Sequence, residues 1–234
     1  VGKIQEILMF FRRAERWALS KLGKFIALEG GEGVGKSTLM QGLSDWFKLK
    51  QIDVIRTREP GGTPIADQIR KLFKSPPDGE ELTPQAEALL VSASRAQHVA
   101  TVIQPALAAG QWVLCDRFAD STRVYQGIFG GVPLNDLEWL IRFSTGGLEP
   151  DITFLLDCDV AITSARIGNR QDVNGDDESL RYDHAGRQVL DRLRQAYRRV
   201  AGFYPSRFFL LDATRSPEDV LRDACAELER RWKL

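Results

Sequence analysis

Gly30-Gly31-Glu32-Gly33-Val34-Gly35-Lys36-Ser37 fills the pattern G-x-x-x-x-G-K-[ST], between the apolar run Phe25 to Leu28 and a helical-looking stretch from Thr38 to Lys50. A glycine-rich turn in that setting makes a phosphate cradle, because glycines let successive N–H groups turn inward and the helix that follows adds its positive end. Gly30, Gly31, Glu32, Gly33, Val34, Gly35, Lys36, Ser37 and Thr38 are therefore the candidate triphosphate contacts. Lys36 is expected to reach the β- and γ-phosphates. Ser37 is expected to place its hydroxyl on Mg²⁺, a hard ion that prefers oxygen ligands and arrives with the nucleotide.

Outward from this loop, short apolar runs alternate with helical stretches, the signature of a parallel sheet with crossover helices. The runs Phe25 to Glu29, Asp53 to Arg58, Trp112 to Asp116, Ile152 to Asp157 and Phe208 to Asp212 read as strands of an α/β fold: a five-stranded parallel sheet with helices on both faces. Ligands gather at the carboxyl ends of such strands, so Glu29, Arg58, Asp116 and Asp157 point toward the region that the phosphate loop occupies.

Length and charge fit one core of ordinary composition. The 234 residues carry 32 Lys plus Arg against 32 Asp plus Glu, so no net field favours nucleic acid. No apolar run is long enough for a spanning helix, so no stable membrane insertion is expected. Cys115, Cys158 and Cys225 lack the spacing of a zinc site or a disulfide framework and read as small apolar side chains in a reducing cytoplasm. Residues 1–24 form a basic N-terminal extension with Ile4, Leu8 and Phe11 at helical spacing. A packed extra helix and a contact with a membrane surface or partner both remain open for it.

The second strand delivers Thr57-Arg58-Glu59-Pro60-Gly61-Gly62-Thr63, a turn that carries a cation and an anion to the mouth of the sheet. Ile65, Ile69 and Leu72 then begin a helix expected to expose Arg70. Thr83-Pro84 caps a longer helix, whose apolar side is expected from Ala86, Leu89, Leu90, Ala93, Ala96 and Val99. Arg95 on that helix reads either as a snorkelling surface residue or as a ligand cation. Asp116, at the tip of the third strand, stands where a carboxylate would hold Mg²⁺ directly or through water, and Arg117 beside it can bind phosphate.

Gly30 to Ser37, Thr57 to Thr63, Arg95-Ala96-Gln97-His98 and Asp116-Arg117-Phe118 through Tyr125-Gln126-Gly127 together resemble thymidylate kinase, from about Phe25 to the C-terminus. The resemblance implies a nucleoside monophosphate kinase domain over residues 25–234, transfer of the γ-phosphoryl of ATP to dTMP, and a homodimer. It implies that Glu32 touches the deoxyribose 3′-hydroxyl, that Arg58, Arg70 and Arg117 surround the acceptor phosphate, and that Glu59 lies near acceptor and metal. Arg95 is implied to bond the thymine edge, Thr122 and Gln126 to contact the base, and Tyr125 to crowd the 2′ position against ribonucleotides. The last turn, Asp212 to Pro217, is implied to lie beside adenine.

The resemblance also implies a helical lid over the donor, at about 165–183. Arg166 and Arg170 lie four apart on one helix face, and Arg181 stands just beyond a polar loop. Because Gly33 occupies a place where some members carry a basic residue, the transferring phosphoryl is expected to meet a lid arginine, Arg181 first and Arg170 second. Two departures stand out. Val91 replaces the phenylalanine that commonly stacks on thymine, with Phe73 a possible substitute, and Asp172 to Glu178 is unusually acidic. His98 reads as structural or interfacial. Asn169-Arg170-Gln171-Asp172 only approximates a guanine-reading motif. A kinase for another nucleoside monophosphate and a nucleotide-binding regulator without turnover are the rival readings.

Overall fold

The computed structural model describes residues 23–171 and 186–234, so the segment 1–22, the acidic stretch Asp172 to Glu178 and Arg181 lie outside the described residues. Strands β1 (Phe25–Glu29), β2 (Val54–Arg58), β3 (Trp112–Asp116), β4 (Ile152–Asp157) and β5 (Phe208–Asp212) form one parallel sheet in the order β2-β3-β1-β4-β5. The expected strands recur with the same bounds, except that β2 starts at Val54.

The central strand is buried throughout, which is why it reads as a continuous apolar run. Its side chains still alternate. Ile26 and Leu28 pack with Leu39, Leu43 and Phe47 of α1 (Lys36–Leu49) and with Val220, Ala224 and Leu228 of the terminal helix, which Ser216 caps through Asp219 N. Phe25 and Ala27 face the opposite side, where α2 (Pro64–Lys74) packs on α3 (Pro84–His98), and α4 (Gln104–Ala108), α5 (Ala119–Thr122) and α6 (Leu134–Thr145) follow. Of these, α3, α4, α5 and α6 supply the buried contacts to that cluster. α7 (Val160–Gln171) follows β4, and α8 (Arg187–Phe203) packs Leu190, Leu193, Ala196 and Val200 against Leu155 and Phe208. Helices thus cover both faces of the sheet.

Two helix faces depart from the apolar-inward pattern. On α3 the buried residues include Glu87, Ser92, Ser94, Arg95 and His98, while Leu89 is 58% exposed. On α2 the buried residue is Ala66, whereas Ile65 and Leu72 are exposed and Arg70 is half-buried, its NH1 donating to the Pro60 carbonyl at 3.0 Å. On α3 the physical reason is pairing: Glu87, Ser94, Arg95 and His98 face inward toward hydrogen-bond partners, which offsets much of the cost of burial.

Candidate functional site

Gly30, Gly33 and Gly35 have φ of 141°, 70° and 101°, values that L side chains rarely adopt, and Gly35 caps α1 from the left-handed region. The loop also needs glycine for space, since a Cβ at Gly33 would lie 2.8 Å from Ile167 Cγ1 and 3.1 Å from the Thr163 carbonyl of α7. Lys36 is buried beneath the loop, and its Nζ donates to the carbonyls of Gly30 (3.1 Å) and Gly31 (2.7 Å). Burial, helped by the nearby Arg117, lowers its pKa from the ordinary lysine value, against the pull of Glu32, Asp116 and Glu29.

Strand register brings the acceptor-side candidates to the same edge. Arg58 pairs in register with Asp116, which pairs with Leu28 just before the loop. A cleft there is lined by Glu32, Gly33, Gly35, Lys36, Ser37, Arg58, Glu59, Arg70, Asp116 and Arg117. Asp116 Oδ1 is buried without a hydrogen-bond partner, and Ser37 is exposed in the same cleft. A carboxylate oxygen and a hydroxyl are the donors that Mg²⁺ prefers, so the residues fit that ion. Among the described residues no group of three or more His, Cys, Asp or Glu could hold a metal ion.

The Glu-Pro-Gly-Gly turn is docked on α3. The Gly61 N–H donates to Ser94 Oγ at 3.1 Å, and a Cβ at Gly62 would lie 2.6 Å from His98 Nε2. Glu59 lines the cleft with both carboxylate oxygens committed: Arg95 Nε donates to Oε2 at 2.7 Å, and His98 Nδ1 lies 3.1 Å from Oε1. His98 Nε2 in turn meets Thr57 Oγ1 at 2.6 Å, a structural place that agrees with its sequence reading. Arg95 is only 2% exposed, so it is no snorkelling surface residue. Its NH2 donates to Thr122 Oγ1 at 2.7 Å, its guanidinium lies over the Phe118 ring, and its NH1 is buried without a partner. Gln126 Nε2 donates to Glu87 Oε2 at 3.3 Å, and Val91 is buried on the same helix.

Between these groups runs α5, continued by wider π-type turns over Arg123–Phe129. Arg117 sits at the head of this element with φ 67°, in the left-handed region. Its NH2 donates to Glu32, and its NH1 donates to the Gly30 carbonyl (3.1 Å), Ser121 Oγ (3.2 Å) and Tyr197 Oη (2.7 Å). Its guanidinium lies 5.3 Å from the Tyr125 ring centroid. Burial works against its charge, but Glu32 and the surrounding acids outweigh that and hold the pKa above the ordinary arginine value. Glu29 is spent on the same turn, accepting from Phe118 N (2.9 Å), Ser121 N (3.1 Å) and Ser121 Oγ (2.7 Å), and burial with the nearby Asp120 raises its pKa to about 7. Asp157 is neutralised by Arg194 and Arg198 rather than presented to the cleft.

A second groove lies on the other side of the loop, lined by Gly33, Gly35, Thr38, Arg166, Ala213, Arg215, Pro217 and Val220 among others. Arg166 NH1 donates to the Ala213 carbonyl at 3.1 Å. The structure therefore joins Thr38 and Arg166 to the turn after β5. Arg181 lies outside the described residues, and the side chain of Arg170 is likewise not described. Sequence reading missed Glu87, Ser121 and Tyr197. Tyr197 had a signal, because with Leu190, Leu193 and Val200 it completes a stripe at helical spacing.

Comparison with known proteins follows this geometry. The family model described as thymidylate kinase matches residues 28–224. A thymidylate kinase of Chromohalobacter salexigens is 44% identical over 209 residues, which is 89% of this chain and 96% of that protein. Thymidylate kinases of Pseudomonas putida (44% over 206 residues, 88% of this chain and 95% of that protein) and Bradyrhizobium diazoefficiens (44% over 198 residues, 85% of each) are similar to it as well. With most of its length matched by the family model, the chain belongs to the thymidylate kinase family.

Proposed function

We infer that the chain transfers the γ-phosphoryl of ATP to dTMP, giving dTDP and ADP. Arg95 carries the reading: an arginine sunk beside the phosphate cleft, pinned by Glu59 and Thr122, with NH1 left over for a hydrogen-bonding ligand edge. Family membership supplies the reaction class, and the loop, Lys36 and the groove toward Pro217 suit a purine nucleoside triphosphate.

Each cleft residue then has a task. Loop amides and Lys36 hold the donor phosphates, while Arg58, Arg70 and Arg117 offset the repulsion between two anionic substrates and keep them in line. Glu32 meets the sugar 3′-hydroxyl, and Tyr125 stands against the 2′ position. Thr122 and Gln126 complete the base pocket, and Val91 contributes apolar wall without an aromatic stack. Glu59 acts by orienting Arg95. Ser37 and Asp116 would hold Mg²⁺, which supplies charge neutralisation on the phosphate oxygens. Arg166 borders the adenine side of the donor.

The lid over 165–183 brings Arg181 or Arg170 to the transferring phosphoryl. At least one of Arg181→Ala and Arg170→Ala is expected to lower kcat by more than about threefold. Both variants staying within that bound would remove the lid assignment.

The protein works as a homodimer in this reading, and the adjoining helices α2, α3 and α6 carry the support. They expose Ile65, Leu72, Leu89, Trp139 (63%) and Phe143 (72%), the last two stacked with centroids 5.3 Å apart. Large apolar side chains left exposed on neighbouring helices suit an interaction surface. Sedimentation velocity is expected to give twice the chain mass, falling toward the monomer in Trp139→Glu, and a monomeric wild type would end the proposal.

A substrate panel decides the function: ADP release measured with dTMP, dUMP, dCMP, dGMP and UMP, with and without EDTA. Turnover on dTMP that EDTA abolishes is expected. Turnover on dGMP in place of dTMP would overturn the substrate.

A further inference from the structure

Helix α8 meets the Arg117 guanidinium through Tyr197. Tyr197 is buried to 1% exposure and sets its hydroxyl between Arg117 NH1 at 2.7 Å and Ser121 Oγ at 2.9 Å. The direction of these bonds follows from bookkeeping of protons. Arg117 can only donate. Ser121 has one hydroxyl proton, and it goes to Glu29 Oε2 at 2.7 Å. With Glu29 ionised, Tyr197 O–H therefore donates to Ser121 Oγ while its oxygen accepts from Arg117. The chain runs Arg117 to Tyr197 to Ser121 to Glu29, with one proton assigned to each link. Burial holds the phenol neutral, its pKa well above the ordinary tyrosine value, so the donor is always present.

The helix that carries this hydroxyl is itself fixed. Leu190, Leu193, Ala196 and Val200 are buried around it, and Arg194 grips Asp157 at the end of β4 with two bonds, Nε to Oδ1 at 2.7 Å and NH2 to Oδ2 at 3.0 Å. Arg198 adds a third, to Oδ2 at 2.7 Å. A planar fork on a carboxylate fixes orientation as well as distance. Thus β4 positions α8, α8 positions Tyr197, and Tyr197 restrains one end of a guanidinium whose other end is held by Glu32.

We propose that Tyr197 is a positioning residue for phosphoryl transfer, one that holds Arg117 in the orientation that meets the acceptor phosphate. This rests on the reading of Arg117 as an acceptor-side cation given above.

Tyr197→Phe keeps the buried ring and deletes only the hydroxyl. It is expected to lower kcat/KM for dTMP by about tenfold to a hundredfold, the scale of a misplaced catalytic group, while KM for ATP stays within about twofold. A structural role would move both substrates together. In an Arg117→Met background the same change is expected to alter kcat/KM by less than about twofold, because the group that it positions is gone. Equal losses in the two backgrounds, or none in the wild type, would overturn the proposal. A readout independent of turnover is the arginine side-chain ¹⁵N spectrum, in which the Arg117 signal, identified by its absence from Arg117→Met, is expected to shift or broaden in Tyr197→Phe. A wild type inert toward dTMP would overturn the substrate reading. The spectrum then judges the rest: an unmoved Arg117 signal refutes the positioning role, and a displaced one upholds it.

Discussion

Replacing Lys36 by alanine is expected to lower kcat by about a thousandfold, the upper range for removing one preorganised donor from a site where charge develops. Three observations set the size of the effect. Nζ is buried, so its interaction with a phosphate is only weakly screened by water. It is fixed by the Gly30 and Gly31 carbonyls at 3.1 and 2.7 Å, so little reorganisation is needed. Arg117 lies close enough to oppose its charge, while Glu32, Asp116 and Glu29 support it, so the ammonium stands in a local field that an anionic donor would reinforce. Single-turnover rates with saturating ATP and dTMP measure the effect. A loss smaller than about tenfold would mean that the loop amides alone stabilise the transferring phosphoryl.

The second large effect concerns Arg95→Met, which should act on binding and on stability through different partners. Deleting the guanidinium removes the group offered to the base, and a site built around a hydrogen bond loses far more than a methylene's worth of discrimination; kcat/KM for dTMP should fall at least about a hundredfold. The same substitution strands Glu59, buried with His98 as its remaining partner in that cluster. Breaking a buried ion pair costs about 3–5 kcal/mol, or a Tm lower by about ten degrees in a chain of this size. The double variant Arg95→Met, Glu59→Gln separates the two: thermal melting should recover much of the lost Tm, while dTMP turnover stays low. Recovery of turnover along with stability would show that Arg95 serves the fold and not the base.

How far the sequence can be read depends on which physical signal each element carries. Strands β1, β3 and β4 are buried up to the acid that closes each of them, so their apolar runs are continuous, and Glu29, Asp116 and Asp157 mark where each run stops. The phosphate loop is legible for a different reason, since three of its glycines sit at φ values that few other residues tolerate. Helix α3 fails the same test. Its apolar residues Leu89 and Ala93 face outward, and its polar ones turn in toward partners on β2, on α5 and in the turn after Arg58. Periodicity records which side is apolar, and it cannot record that Glu59, Arg95, His98 and Thr57 satisfy one another across gaps of 36 to 41 residues. Helical spacing marks Tyr197 as buried on α8, but not its bond to Arg117, 80 residues away.

Gly33 closes one evolutionary route. Its missing side chain lets the phosphate loop lie directly on Ile167 and the Thr163 carbonyl, so any larger residue would have to push α7 aside. A cation could be grafted at that position only together with a smaller residue at 167 and a shifted α7. A cation in the loop at this place therefore asks for several concerted substitutions, each costly alone, and single-step drift toward it is blocked by simple lack of room.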